Sequence, residues 1–249
     1  CKRFWVISWG WSKGSGSNQM AGVAICLNTR TLPREIIKQR HDPEYDFAGR
    51  YGAVTMKCEE QALHINTIYC LQDDTANEMK DKFWGMIHKK TNQVSKRSVI
   101  ISGGDFNGDP MPAQDDELIG QLYKGNRSTS NGEYIHTYAH AYGLAIPHTW
   151  ACRVKSRNSP DWKGETYFSD NGNTRIDHIL ASNFAPCSDN TVDLNTGYVL
   201  SPGIHTKMIE HSPIATTVHF ELKSRYQNKP PSPKWNTMKM RAAQEDIHF

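Results

Sequence analysis

Short apolar runs, each bounded by polar or glycine-rich stretches, recur along the chain and predict an alternation of strands and helices. The runs at 4–9 and 22–28 are joined by a Gly- and Ser-rich segment and predict a hairpin or neighbouring strands. Two further runs, at 51–58 and 62–70, predict another pair of strands, and the second alternates in polarity up to Tyr69. Functional side chains often lie where a strand ends, so Tyr69 is a candidate site residue.

A helix that packs on the sheet is predicted after this strand pair. Thr75 and Glu78 have the spacing of a capping box, which predicts the start of the helix. The apolar positions that follow lie on one helical face and are interpreted as core: Met79, Phe83, Met86, Ile87 and Val94. Shorter helices are predicted over 115–123 and 132–144.

The stretch SVIISGGDFNGDP at 98–110 joins a buried strand to a polar exit. Its β-branched run predicts the strand. Asp105, Asn107 and Asp109 then occupy alternate positions, so in an extended chain their side chains share one edge. Three oxygen-bearing groups on one edge favour a bound cation or a hydrogen-bonding ligand. The alternative is an ordinary turn, because Asn-Gly and Asp-Pro are turn-forming pairs.

Two later segments supply an acid and an imidazole. Residues 175–182 predict a strand with Asp177 inside it, and an unpaired buried carboxylate is costly. His211 stands just before the last predicted strand, at 215–222. This placement predicts a pair between Asp177 and His211.

Composition is that of a globular protein, with 37% hydrophobic and 22% charged residues. No apolar run approaches the length of about 18 residues that a membrane span needs, so no membrane partner is expected. The chain has six cysteines. Those at 26, 58 and 70 lie in or at the end of apolar runs and are interpreted as reduced core residues, and a disulfide framework is the alternative.

Two basic segments are candidates for contact with nucleic acid. The predicted loop 150–164 places basic side chains near tryptophans, an arrangement that suits contact with nucleic acid: Arg153, Lys155, Arg157, Trp162 and Lys163. Residues 222–244 contain six basic residues, no acidic one and several prolines, which predicts an extended linker attracted to phosphate. In both segments a merely solvated surface is the alternative.

The ordered set of motifs resembles a known superfamily. GGDFN at 103–107, RIDHILAS at 175–182 and EHSPI at 210–214 look like the endonuclease/exonuclease/phosphatase superfamily. GVAICLN at 22–28 and the tail with Trp235 are most similar to the endonuclease domain of LINE-type (non-LTR) retrotransposons, which resembles apurinic/apyrimidinic endonucleases.

The resemblance implies a fold and a division of the chain. The fold would be an α/β, four-layer αββα sandwich, in which two mixed β-sheets pack face to face between helices, as in DNase I. Residues 1–222 would form this domain, and 223–249 a basic, proline-containing tail. The resemblance also implies DNA as the partner and a reverse transcriptase domain further along the same polypeptide.

The resemblance further implies a hydrolytic site. Asp105 would deprotonate the attacking water and Asn107 would hold that water or a phosphate oxygen. His211, oriented by Asp177, would donate to the phosphate, and Tyr69 would donate as well. Glu210 would be a ligand of a divalent cation, which would be magnesium, with manganese as the alternative.

Two departures from the family pattern affect the expected activity. The pattern has an asparagine-bearing strand and a glutamate metal ligand upstream of the point where this chain starts, and its first residue is Cys. The chain is therefore expected to be N-terminally truncated and weak or inactive. Glu210 stands where the family has aspartate, and magnesium tolerates little departure from octahedral geometry.

The leading hypothesis is a magnesium-dependent endonuclease that nicks DNA. A second hypothesis is another phosphoesterase of the superfamily, such as an inositol phosphatase or a deadenylase. The third is a non-catalytic remnant that binds nucleic acid.

Overall fold

The computed structural model describes residues 3–10, 22–58, 61–110, 116–120, 129–150, 153–155, 165–169, 172–193 and 211–220. Thirteen strands lie in these ranges: β1 (Phe4–Trp9), β2 (Val23–Asn28), β3 (Ile37–His41), β4 (Tyr51–Cys58), β5 (Gln61–Tyr69), β6 (Val99–Asp105), β7 (Leu144–Ala145), β8 (Arg153–Lys155), β9 (Tyr167–Ser169), β10 (Gly172–Thr174), β11 (Asp177–Ser182), β12 (Cys187–Asp193) and β13 (Ile214–Val218). The α-helices are α1 (Asn77–Thr91) and α2 (Ser130–Tyr142), and 3-10 turns cover Arg34–Ile36, Tyr45–Phe47 and Pro147–Thr149.

A mixed sheet of six strands organises the molecule, in the order β3-β4-β5-β6-β11-β7. Strands β5 and β6 are parallel, and α1 provides the crossover between them. The other neighbouring pairs of this sheet are antiparallel. Strands β13-β12-β8 form a second sheet, and β1-β2 and β9-β10 form two-stranded ribbons.

The two faces of the central sheet are covered by different elements. On one face, α1 and α2 bury an aromatic-rich core that includes Phe83, Trp84 and Tyr138. On the other face, the β1-β2 ribbon buries Ile7 and Trp9 against the central strands, and Val218 of β13 packs on the same cluster. The predicted α/β sandwich, with a mixed sheet, a second sheet and helices, is confirmed. The paired runs at 4–9 and 22–28 form the predicted hairpin.

Several helix boundaries differ from the sequence prediction. The predicted capping box is wrong: α1 begins at Asn77 after Ala76, and no side chain caps its first turn. Thr129 instead caps α2 by accepting from Gly132 N, and Gly143 ends α2 in the left-handed conformation, so the helix predicted over 132–144 is confirmed with a small shift.

Other local predictions also need correction. Residues 116–120 of the helix predicted over 115–123 are not helical: they form a bend, and Ile119 makes a single bridge to Ile146. Arg153–Lys155 form strand β8 inside the predicted loop. Cys70 is buried as predicted, but Cys26 is exposed, because its side chain points away from the core on the outer face of the ribbon. No helix among the described residues has the length and apolar character to cross a membrane.

Candidate active site

Three predicted site residues meet at one end of the central sheet. In the register of the strands, Tyr69 at the end of β5 is the partner of Asp105 at the end of β6, and Asp105 is the partner of Asp177 at the start of β11. Register partners point to the same face of a sheet, so the three side chains share one face. This is the face that carries the second layer of strands, because Ile65 and Ile101, which have the same parity, pack there.

Gly104 allows β5 and β6 to approach closely beside the candidate site. Its φ is +148°, and a Cβ at this position would lie 1.9 Å from the Ile68 carbonyl oxygen. Only glycine fits this conformation and this contact. The second glycine of the GGDFN motif therefore has a structural cause: it lets Asp105 sit beside the end of β5.

The expectation that Asp105, Asn107 and Asp109 share one edge is wrong. The strand ends at Asp105, and Asn107 has a φ of 46°, so the chain turns instead of remaining extended. Asn107 N donates to Asp105 Oδ1 at 2.9 Å, and Asn107 Nδ2 donates to the Cys70 carbonyl at 2.9 Å. Asp109 is buried beside the start of α2, where its backbone N donates to Thr129 Oγ1.

The predicted pair of Asp177 and His211 is present. His211 Nδ1 lies 3.0 Å from Asp177 Oδ2. An ionised carboxylate only accepts, so Nδ1 carries the proton and Nε2 is directed away from Asp177. The Asp177 side chain is largely buried, at 17% exposed, whereas that of His211 is 42% exposed.

Thr166 and Tyr167 hold this pair in place. Thr166 Oγ1 accepts from the backbone N of Ile176 and of Asp177, and its carbonyl accepts from Ser212 N. Tyr167 makes a backbone bridge to His211, and their ring centroids are 4.8 Å apart. The segment before β13 is thereby joined to the start of β11.

Asp105 has an unusual electrostatic environment. Burial and, next, the neighbouring Asp177 carboxylate raise the pKa of Asp105 to about 6. The hydrogen bond from Asn107 N and the positive charges of His211 and Arg50 lower that pKa and offset part of the rise. A carboxyl with a pKa near neutrality can take up and release a proton at physiological pH.

Asp105, Asp177 and His211 are close enough to share one ion. One ligand atom from each lies within 4.8 Å of the other two. Two of the donors are carboxylates, the ligands that magnesium and manganese prefer, and a cation would offset the repulsion that raises the pKa of Asp105. The residues present therefore fit a divalent cation in charge and in donor type.

Some predicted residues lie outside the described part of the chain. These are Glu210, Arg157, Trp162, Lys163 and the tail 223–249. Arg153 and Lys155 belong to β8, which pairs in parallel with β12, but their side chains are not described.

Sequence reasoning missed several residues that shape the site. Arg50 donates to the Cys70 carbonyl at 3.1 Å, and its guanidinium lies 4.9 Å from the Tyr69 ring centroid. Asn131 Nδ2 donates to the carbonyls of Leu71 and Asn107 at 2.8 and 2.9 Å. Neither residue had a sequence signal, because each reaches the site from a distant segment.

Comparison with known proteins shows which solved structures share this fold. Neither a protein-family model nor a curated protein sequence matches the chain. Among solved structures, the chain is similar to the 3'-5' exonuclease NExo from Neisseria meningitidis, with 18% identity, a TM-score of 0.57, and coverage of 88% of this chain and 80% of that one. NExo has also been solved as a 3' phosphatase bound to a product DNA hairpin.

Two further similar structures have different activities. One is the endonuclease domain of TRAS1, a telomere-specific non-LTR retrotransposon, with 13% identity, a TM-score of 0.50, and coverage of 88% and 80% of the two chains. The other is a mannosyl-6-phosphatase from Bacteroides thetaiotaomicron, with 13% identity, a TM-score of 0.53, and coverage of 88% and 78%. The chain thus has the fold of the endonuclease/exonuclease/phosphatase proteins.

Proposed function

We propose that this protein is a metal-dependent phosphodiesterase that nicks DNA, of the kind found in non-LTR retrotransposons. One observation carries the proposal: Asp105, Asp177 and His211 meet within 4.8 Å at the end of the central sheet. The similarity in fold to nucleases, one of them solved with DNA, supports a nucleic-acid substrate.

In the proposed mechanism, Asp105 is the general base. Its pKa of about 6 leaves the carboxylate ionised at neutral pH and still basic enough to accept a proton from water. Asn107 is fixed beside it by two hydrogen bonds and would hold the water or a phosphate oxygen. The attacking oxygen would thus be oriented before reaction. As its bond to phosphorus forms, the bond from phosphorus to the leaving deoxyribose oxygen breaks, and that oxygen takes a proton from solvent while Asp105 returns its proton to solvent.

His211 and Tyr69 would stabilise the charge on the phosphate. Asp177 holds the His211 ring through Nδ1, which leaves Nε2 to donate to a phosphate oxygen. The Asp177 side chain is largely buried, so the contact fixes the orientation of the ring. Tyr69 shares a sheet face with Asp105 and would donate from its hydroxyl.

A divalent cation, magnesium or manganese, would supply Lewis-acid polarisation of the phosphate. Glu210, the neighbour of His211 in sequence, would be a ligand of that cation. The carboxylates of Asp105 and Asp177 provide the negative field that attracts the cation.

The rest of the chain would supply DNA binding. The segment around β8, with Arg153, Lys155, Arg157, Trp162 and Lys163, would contact the backbone and bases, and the tail 223–249 would add phosphate contacts. We further propose that a reverse transcriptase domain follows on the same polypeptide.

A phosphomonoesterase is the second candidate, because a mannosyl-6-phosphatase shares the fold. The same base, imidazole and cation would serve either reaction. The two differ in product, since a monoesterase releases inorganic phosphate and an endonuclease leaves a nicked strand.

The deciding experiment is the relaxation of supercoiled plasmid by this chain with and without magnesium. Asp105→Ala and His211→Ala should each lower nicking by about two orders of magnitude, the usual cost of losing a general base or a charge stabiliser. His219→Ala, which removes an exposed histidine of the same region, should have no effect.

Further outcomes separate the alternatives. Nicking retained in both Asp105→Ala and His211→Ala would remove these residues from the mechanism. Release of phosphate from sugar or inositol phosphates without nicking would favour the monoesterase. Salt-sensitive DNA binding without any hydrolysis would favour a non-catalytic protein. Glu210→Asp should keep or raise the response to magnesium.

A further inference from the structure

A second group of metal-ligating side chains lies outside the candidate active site. His136 and His140 are one turn apart on α2, and each directs Nε2 at the same oxygen, Asp116 Oδ2, at 3.1 and 3.2 Å. One ligand atom from each of the three residues lies within 4.8 Å of the other two. The proposed hydrolytic reaction uses none of them.

The Asp116 carboxylate is held rigidly. Its Oδ1 accepts from the backbone N of Leu118 and of Ile119, at 2.8 and 2.9 Å. Its side chain is only 1% exposed, so the second oxygen is directed at the histidines rather than at bulk solvent. A buried charge in this position requires partners, and ligands of metal ions are commonly fixed by such hydrogen bonds.

The two imidazoles are arranged side by side. Their ring centroids are 4.3 Å apart, with an interplanar angle of 31°. Their side chains are 34% and 45% exposed, so the group opens to solvent on the histidine side. An ion could enter there and keep one position for water.

The distances fit a tetrahedral ion. With metal–ligand bonds of about 2.0–2.1 Å, neighbouring ligands of a tetrahedral zinc ion lie about 3.3 Å apart. The two nitrogen–oxygen separations, 3.1 and 3.2 Å, are close to that edge length. Imidazole nitrogens suit zinc and its neighbours in the first transition row, whereas magnesium prefers oxygen.

We propose that Asp116, His136 and His140 bind a zinc-type divalent transition-metal ion, with the fourth position left to water. The ion would join residues 116–120 to α2. The first turn of that helix carries Asn131, which holds the Asn107 carbonyl of the candidate active site. The ion would therefore stabilise the helix that supports the site and take no part in hydrolysis.

The test uses the full chain without a histidine tag, stripped with chelator and titrated with cobalt as a spectroscopic probe and then with zinc. With magnesium present to fill the candidate active site, cobalt should give the visible absorption of a four-coordinate site at one ion per chain, and zinc should displace it. His136→Gln and His140→Gln should each weaken binding at least about tenfold. Asp116→Asn, which keeps the acceptor for both backbone N–H groups, should weaken it similarly.

Matched controls separate this site from the candidate active site. His219→Gln and His211→Gln should both leave the cobalt spectrum unchanged, and a large excess of magnesium should not displace the ion. Far-UV circular dichroism should show that the variants at 116, 136 and 140 retain their fold, and zinc should raise the melting temperature of the unsubstituted chain but not theirs.

The proposal is overturned if the unsubstituted chain binds cobalt and zinc no tighter than about 100 µM. It is also overturned if His136→Gln and His140→Gln bind as the unsubstituted chain does, or if only His211→Gln loses the ion. The three side chains would then be a hydrogen-bonded group and nothing more. None of these results depends on hydrolysis, so the proposed function is tested separately.

Discussion

The raised pKa of Asp105 suits a general base but lowers the free energy of unfolding of the protein at neutral pH. Its ordinary pKa is 3.8, and burial together with Asp177 raises the folded-state pKa to about 6. The folded state thus holds the proton more tightly than the unfolded state. The free energy of unfolding should therefore fall as pH rises from about 4 to about 6, and the loss is complete above that range.

We expect Asp105→Asn to stabilise the protein above pH 6, because an amide cannot ionise and still accepts from Asn107 N. A pKa change from 3.8 to about 6 corresponds to about 3 kcal/mol at most. At pH 4 the variant and the unsubstituted chain should have equal stability. Urea unfolding at pH 4 and pH 7.5 in the presence of chelator measures the difference.

Asp46→Asn is the control, since it removes a carboxylate from an exposed 3-10 turn and should leave the free energy of unfolding nearly unchanged. If Asp105→Asn changed stability equally at both pH values, the ionised carboxylate would not be the source of the cost.

The identities of the site residues were more predictable than their orientations. The pair of Asp177 and His211 followed from a carboxylate inside a strand and a histidine before another strand. The positions of Asn107 and Asp109 did not, because a period of two holds only while the chain is extended. The left-handed φ at Asn107 ends the extended conformation two residues after Asp105.

At the scale of elements, the contact between β5 and β6 depends on Gly104. Gly104→Ala should lower the free energy of unfolding by about 3 kcal/mol or more, because the added Cβ would lie 1.9 Å from the Ile68 carbonyl oxygen at a φ that disfavours alanine. Thermal and urea unfolding would measure the loss.

Gly85→Ala provides the opposite control. Gly85 lies in α1, is exposed, and has nothing within 4 Å of an added Cβ. The substitution should stabilise the protein by about 0.5–1 kcal/mol through helix propensity. If the two substitutions changed the free energy of unfolding equally, the close approach of β5 and β6 would not be what excludes a side chain at Gly104.

The first turn of α2 connects the helix layer to the candidate site. Asn131→Ala would leave the carbonyls of Leu71 and Asn107 without their donor, so we expect a loss of about 2–4 kcal/mol in stability. It should also lower kcat for nicking with little change in KM, because the Asn107 turn loses its support. Gln93→Ala, on the exposed surface just after α1, should change neither. Retention of full kcat in Asn131→Ala would contradict this role.

Element boundaries were only partly predictable. The capping-box spacing at Thr75 and Glu78 has no consequence in the structure. The chain enters α1 through Ala76, and the Glu78 side chain accepts from Lys82 instead. The helix predicted over 132–144 was right because its caps, Thr129 and Gly143, are local. At the start of α2 the local cap agrees with the long-range contacts, since Asp73 and Asp109 also bond to residues 129–131.

At the scale of the whole molecule, the layered fold came from the resemblance and not from periodicity. Apolar runs identify strands, but the order β3-β4-β5-β6-β11-β7 depends on pairing between distant segments. The group of Asp116, His136 and His140 was missed for the same reason. The spacing of the two histidines on a predicted helix was visible, whereas the aspartate reaches them from a separate segment.

If residues 1–222 form the domain and residues 223–249 a tail, the tail should contribute to DNA binding through its charges alone. Replacing the basic residues of the tail with glutamine removes six positive charges: Lys223, Arg225, Lys229, Lys234, Lys239 and Arg241. Because each neutralised phosphate contributes about 0.9 to the salt dependence of duplex binding, the slope of log K against log salt should become shallower by at least about 1. The melting temperature should not change if residues 1–222 fold as the domain.

The matched control replaces exposed lysines of α1, Lys82 and Lys89, with glutamine, which removes positive charge from a helix on the face opposite the candidate site. That variant should keep the salt slope of the unsubstituted chain. If the tail variant instead lost thermal stability and kept its salt slope, the tail would be part of the folded domain and not a DNA-binding extension. If the folded domain ends at residue 222, the tail variant should show a shallower salt slope at an unchanged melting temperature. A segment outside the folded domain can lose six charges without changing the free energy of unfolding.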